Sequence, residues 1–150
     1  MRYAGRILVA AVIAGGAAAA VALFSASRLT DAPARGRLAG PDPIGSLASV
    51  VAFAIAVVAF WRLGRSLHTT ARTAIVSGLL GGALAGLIAG VAQSFALSDY
   101  LGTVLARYAV PPEFLAIALG VYVVLATIGA AAIAAAVTYL GWYRPRPSTE

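Results

Sequence analysis

Long apolar stretches separated by short charged segments dominate the chain. No Asp, Glu, Lys or Arg occurs within residues 7–24, 44–61, 74–97 or 114–140. A hydrocarbon core about 30 Å thick requires about 20 residues of helix at a rise of 1.5 Å per residue. The third and fourth stretches exceed this length, and the first two are slightly shorter. The pattern predicts an all-α polytopic membrane protein, a four-helix transmembrane bundle forming one domain over residues 1–150.

The first apolar stretch also has features of a secretory signal peptide. Arg2 and Arg6 precede it, and Ser25-Ala26-Ser27 follows it as a small-residue cleavage sequence. The hydrophobic region of a signal peptide is typically about 7–15 residues long, which is shorter than this stretch. We therefore expect a retained first helix. Cleavage of residues 1–27, leaving three helices, is the alternative.

The arginines predict an orientation. All eleven basic residues are arginines, and the alanine-rich, lysine-free composition favours a prokaryotic source and hence its plasma membrane. With the N-terminus inside, seven arginines lie on the cytoplasmic side and four lie outside, so the excess of positive charge predicts an N-in/C-in topology. The inner set is Arg2, Arg6, Arg62, Arg65, Arg72, Arg144 and Arg146, and the outer set is Arg28, Arg35, Arg37 and Arg107.

Composition restricts the partners. Hydrophobic residues make up 61% of the chain and charged residues 11%, whereas soluble domains have about 45–50% and about 25%. The net charge of +6 is concentrated at the ends of apolar segments, so it does not predict nucleic-acid binding. Anionic lipid headgroups are the expected contact of Arg62, Arg65 and Arg72 in the segment between the second and third helices.

The segment after the third apolar stretch allows two interpretations. Ser98 is a suitable cap for a short interfacial helix at residues 99–108, in which Leu101, Val104, Leu105 and Tyr108 share one face. Alternatively, the third helix continues beyond the membrane. Other helix starts are clearer: Thr69 or Thr70 is expected to cap the third helix, and Glu113 follows two prolines in the first turn of the fourth.

Small residues recur every four positions along the third helix. This small-residue stripe consists of Ala74, Gly78, Gly82, Gly86, Gly90 and Ser94. Such a stripe lets a second backbone approach closely, which is a main way that helices associate in lipid. We therefore predict that the stripe is a helix-packing groove.

The occupant of this groove is open at the sequence level. The fourth helix offers a complementary ridge of small residues at the same spacing, so an intramolecular neighbour is the expected occupant. A second copy of the chain, another membrane protein, or a lipid or pigment tail are alternatives. The ridge consists of Ala126, Ala130, Ala134 and Thr138.

Few side chains could carry chemistry. The four stretches contain no ionisable acid or base, and Gln93 is the most polar side chain within them, a possible intramembrane hydrogen-bonding contact. The chain has no cysteine and one histidine, His68, so we expect no metal site and no cofactor. Asp99 and Glu113 are expected to be helix-end charges, and no residue is predicted to be catalytic.

The sequence thus favours a non-catalytic integral membrane protein. We expect an accessory or structural subunit of a membrane complex, or a homo-oligomer packed through the small-residue stripe. The alternative is a small-solute or ion transporter or channel. That alternative is motivated by Gln93 and by a weak repeat in which residues 13–27 align with residues 84–98.

Overall fold

All secondary structure in the computed structural model, which describes residues 3–29 and 43–143, is α-helical. The helices are α1 (Ala4–Leu29), α2 (Pro43–Ser66), α3 (Ala71–Arg107) and α4 (Glu113–Tyr143). Each is long and apolar enough to cross a membrane. The prediction of an all-α protein with four such helices is therefore confirmed.

Every helix extends past its predicted apolar stretch at both ends. A helical backbone forms its hydrogen bonds within the helix itself, in an apolar or a polar environment. A helix therefore need not end where its apolar stretch ends. Three of the helices carry an arginine in the last turn, where a cation interacts favourably with the helix dipole. These residues are Arg28 in α1, Arg65 in α2 and Arg107 in α3.

Part of the predicted orientation signal lies outside the described residues. This applies to most of the connection between α1 and α2 and to five arginines: Arg2, Arg35, Arg37, Arg144 and Arg146.

The helices do not pack in chain order around the bundle. The α3–α4 interface is the most extensive, followed by the α1–α3 interface. The α1–α2 and α2–α4 interfaces are smaller and similar in extent. Helices α2 and α3 barely touch, and no α1–α4 interface occurs among the described residues. The order around the bundle is therefore α1, α2, α4, α3. The consecutive helices α2 and α3 lie across a diagonal.

The short connection between α2 and α3 closes one end of the bundle, which we call the proximal end. Leu67 in this connection is fully buried. The indole Nε1 of Trp142 donates a hydrogen bond to the Thr69 carbonyl (2.8 Å), and Arg6 Nη1 donates one to the Ser66 carbonyl (2.9 Å). The first and last described segments of the chain thus meet at this end.

Helix α3 begins at the residue predicted from the sequence. The Thr70 side chain accepts a hydrogen bond from the backbone N–H of Thr73 at 3.4 Å, as an N-cap does. Of the two predicted caps, Thr69 and Thr70, the structure has Thr70.

The opposite, distal end contains the connection between α3 and α4. Of the two predictions for residues 99–108, the structure shows the continuous helix, since α3 is uninterrupted from Ala71 to Arg107. Ser98 does not cap a new helix. Its hydroxyl donates to the Phe95 carbonyl one turn earlier, at 2.8 Å, which is compatible with an unbroken helix.

A Schellman motif ends α3. The Val110 N–H donates to the Leu105 carbonyl (3.0 Å), and the Ala109 N–H donates to the Ala106 carbonyl (3.2 Å). This turn places Ala109 at φ 53°, in the left-handed region that usually favours glycine. Helix α4 then starts at Glu113, which therefore lies in its first turn, as predicted.

Candidate functional site: a small-residue interface and two cavities between helices

Three glycines of the α3 stripe lie directly against the backbone of α4. A Cβ atom added to Gly82 would lie 2.5 Å from the Ala130 carbonyl oxygen. The same addition at Gly78 or Gly86 would place the Cβ 2.7 Å from a carbonyl oxygen, that of Ala134 or Ala126 respectively. Real Cβ contacts are not this short, so only glycine fits at these positions. The helices run antiparallel, with one small-residue step on α3 matching one on α4.

The stripe is less tightly packed towards its distal end. A Cβ on Gly90 would lie 3.2 Å from the Cα of Val123 and 3.4 Å from the Cβ of Ala126, longer than the approaches at the other three glycines. Ala74 is fully buried at the proximal end, whereas Ser94 is only partly buried. The Ser94 hydroxyl oxygen is itself buried and has no hydrogen-bond partner within residues 3–29 and 43–143. From Gly78 to Gly90, helix α4 of the same chain thus covers the stripe.

Close backbone approach supplies attraction that apolar side chains cannot supply in lipid. Lipid tails are as apolar as leucine, so transferring a side chain from lipid to protein gains little. Dispersion contacts and Cα–H···O interactions, worth perhaps 0.5–1 kcal/mol each, remain available where backbones meet. The alternation of glycines on α3 with carbonyl groups on α4 is the geometry that such contacts need.

Glycines outside the predicted stripe make similar approaches. Gly64 of α2 lies against the carbonyl of Thr138, and a Cβ on Gly141 of α4 would lie 2.5 Å from the Trp61 carbonyl oxygen. A Cβ on Gly15 of α1 would lie 3.0 Å from the Ala85 carbonyl oxygen of α3. These residues could not be singled out from the sequence, because none belongs to a run of glycines spaced four residues apart. Their proximity to the partner backbones is set by tertiary packing.

Thr138 marks the point where three helices meet near the proximal end. It is fully buried, its carbonyl faces Gly64 of α2, and a Cβ on Gly78 of α3 would lie 2.9 Å from its Oγ1. Its hydroxyl has no hydrogen-bond partner in the described part of the chain. Thr127, by contrast, donates to the Val123 carbonyl at 2.8 Å, a bond that hydroxyls often make within their own helix.

Gln93 lines a cavity in the distal half of the bundle. The cavity has a volume of about 270 Å³ and lies between α1, α2 and α3. Ser25 of α1 and Ser49 of α2 also line it, together with alanines and Phe53. The Ser49 hydroxyl donates to the Gly45 carbonyl at 2.8 Å. The site thus presents one amide and two hydroxyls on an otherwise apolar wall, which suits a small neutral hydrogen-bonding group.

The three arginines predicted to contact anionic lipid all lie at the proximal end. All three residues are exposed. Arg62 also lines a second cavity, of about 430 Å³, between α1 and α2. Arg6 lies at the same cavity and was not singled out as a lipid contact from the sequence. Arg65 and Arg72 are not among its lining residues.

The remaining ionisable groups do not converge. No group of three or more His, Cys, Asp or Glu residues that could hold a metal ion occurs in residues 3–29 and 43–143. His68 Nδ1 lies 3.3 Å from the Ser66 carbonyl oxygen within the exposed proximal connection. Asp99 and Glu113 are exposed at the distal end, on α3 and α4.

No protein-family model, curated protein or solved structure matches the chain.

The tightest glycine contact between α3 and α4 provides a stability test. In Gly82→Leu the new side chain must displace the α4 backbone, and overpacking of this kind typically costs about 1–3 kcal/mol. Gly129→Leu is the matched control, because Gly129 lies on α4 with nothing within 4 Å of an added Cβ. We expect a lower melting temperature for Gly82→Leu only, measured in detergent by circular dichroism. Equal stability of the two variants would contradict the assigned packing.

Proposed function

We propose that this chain is an integral membrane protein whose four helices span the bilayer. Large apolar side chains are exposed on every helix, including Leu47 of α2 (65% exposed), Phe95 of α3 (76%) and Leu125 of α4 (63%). Water-soluble monomers rarely expose apolar patches larger than a few hundred Å². A hydrocarbon environment accounts for such a surface around the whole bundle.

The proposed orientation places the proximal end in the cytoplasm of a prokaryotic cell, giving the N-in/C-in topology. Among the described arginines, the proximal end has Arg6, Arg62, Arg65 and Arg72, and the distal end has Arg28 and Arg107. An excess of arginine on the cytoplasmic side is the usual determinant of orientation.

Within the membrane, we propose a non-catalytic role as an accessory or structural subunit. The observation that carries this proposal is the composition of the bundle interior. The buried hydrophobic residues are mostly alanines, joined by Phe60, Leu63 and Leu67, and the buried polar residues among those described are Ser77 and Thr138. Such an interior supports helix packing and offers no titratable group for a reaction.

The partner of such a subunit would contact the outer surface of the bundle. Helix α4 already covers the small-residue stripe, so a second copy or another protein would have to displace α4 to bind there. The outward faces of helices α2 and α4 expose many large apolar side chains, among them Val50, Ile117 and Ile128, and these faces remain available. We therefore propose these faces, in contact with another membrane protein or a second copy, as the assembly surface.

A transporter or channel is the second candidate function. The cavity lined by Gln93, Ser25 and Ser49 favours it, because polar groups facing a cavity inside a bundle are the minimum that solute passage needs. The small apolar residues that fill the proximal half argue against a continuous polar path through the bundle.

Cysteine accessibility tests the spanning arrangement and its orientation. The chain has no cysteine, so His68→Cys at the proximal end and Tyr108→Cys at the distal end each introduce one thiol. In intact cells we expect a membrane-impermeant maleimide to label Tyr108→Cys, and to label His68→Cys only after permeabilisation. Labelling of both in intact cells would contradict spanning, and the reverse pattern would contradict the orientation.

Native mass spectrometry and flux measurements distinguish the two candidate functions. After mild detergent purification we expect a defined assembly, with a second copy or another subunit retained. In proteoliposomes we expect no protein-dependent swelling with glycerol, urea or KCl, because the sealed proximal half leaves no polar path. Flux that disappears in Gln93→Leu and persists in Ser98→Ala would contradict the accessory role and support transport.

A further inference from the structure

The cavity between α1 and α2 at the proximal end is not used in helix packing. Its volume is about 430 Å³, within the range of about 300–1,000 Å³ that is typical of ligand sites. Residues of α1 (Arg6, Val9 and Ile13) form one side, and residues of α2 (Ala59, Arg62 and Leu63) form the other. Because both Val9 and Ile13 are exposed to its open side, the cavity is a groove that faces the bilayer.

The polarity of this groove changes along its length. The charged residues Arg6 and Arg62 lie near the proximal end, about one turn beyond the apolar residues Val9 and Ala59, and Ile13 lies a further turn into the bundle. Ala10 and Leu63, both buried, also line it. A charged end followed by an apolar channel is the pattern of a single phospholipid molecule standing in one leaflet.

The charge of the groove is entirely positive. Two guanidinium groups line it, and no carboxylate is among its lining residues. Arg6 is held in place by the hydrogen bond from its Nη1 to the Ser66 carbonyl, at 2.9 Å. A guanidinium has five N–H donors, so this bond leaves four for other acceptors. Arginine binds phosphate oxygens well through several parallel hydrogen bonds.

We propose that this groove is a binding site for an anionic phospholipid of the leaflet at the proximal end. The phosphate and anionic headgroup contact Arg6 and Arg62, and an acyl chain lies along Val9, Ile13 and Ala59. Charge complementarity selects this occupant over a zwitterionic lipid. The inference depends on the membrane-spanning part of the proposed function and is independent of the accessory role.

Lipid titration of the purified chain in detergent tests the site directly. Native mass spectrometry would measure the binding of phosphatidylglycerol and of phosphatidylcholine with the same acyl chains. We expect wild-type protein to bind phosphatidylglycerol more tightly. Arg62→Gln should reduce this preference by about fivefold, the effect of one basic residue near anionic lipid. Arg107→Gln is the control of equal charge change, because it removes an exposed arginine at the distal end that does not line the groove.

A second pair of variants tests occupancy of the groove near its charged end without changing charge. Gly5 lines the groove, and a Cβ added there has nothing within 4 Å, so Gly5→Leu partly fills the groove without a clash. Gly16 on the same helix also has free space but does not line the groove, which makes Gly16→Leu the control. We expect weaker phosphatidylglycerol binding in Gly5→Leu only. Circular dichroism would show that all variants remain folded.

Each outcome of these titrations decides the proposal. Loss of preference in Arg62→Gln and of binding in Gly5→Leu, with both controls like wild type, supports a built site. Equal losses in Arg62→Gln and Arg107→Gln would mean that anionic lipid is attracted only by diffuse charge. That result, the absence of any wild-type preference, or unchanged binding in Gly5→Leu would overturn the proposal. None of these results would affect the cysteine-accessibility test of spanning.

Discussion

The packing of this bundle depends on how closely two helix backbones can approach. In lipid, apolar side chains gain little by leaving the solvent for one another, so attraction has to come from dense contact. Helices α3 and α4 meet that constraint where Gly78, Gly82 and Gly86 lie against successive carbonyl groups of α4. The other helices attach in the same manner, α1 to α3 through Gly15 and α2 to α4 through Gly64 and Gly141. The attachment of α1 and of α2 therefore depends on the α3–α4 pair.

This dependence explains where the bundle is closed and where it is open. Because α1 packs against α3 and α2 packs against α4, α2 and α3 lie on a diagonal, and their short connection crosses the proximal end with Leu67 buried in it. Hydrogen bonds from Arg6 and Trp142 fix that end. The two cavities described above both lie along α1 and α2, away from the α3–α4 interface. The proposed lipid site therefore lies beside the α3–α4 pair and not within it.

The four helices could be predicted from the sequence because each apolar stretch is long and free of charge. The small-residue stripe was visible because its spacing matches the helix period, and the complementary spacing of Ala126, Ala130 and Ala134 indicated a partner. Gly64, Gly141 and Arg6 could not be assigned, since each acquires its role from a residue of another helix. The order of the helices around the bundle could not be predicted from the sequence either. A short connection does not determine whether the two helices it joins are neighbours or lie across the bundle. Ser98 illustrates a local ambiguity, as a hydroxyl can cap a new helix or bond back within a continuing one.

An engineered disulfide measures the α3–α4 pairing most directly. The Cβ position of Gly90 lies 3.4 Å from the Cβ of Ala126, close to the distance of about 3.5–4.5 Å found across disulfides. Since the chain has no cysteine, a double variant with Gly90→Cys and Ala126→Cys contains only this pair. On oxidation in lipid, the account predicts a disulfide within one chain, detected as a monomer that has lost two hydrogens. A control with Gly90→Cys and Gly129→Cys should stay reduced. Failure of the first pair to link, or its appearance as a disulfide-linked dimer, would contradict the account.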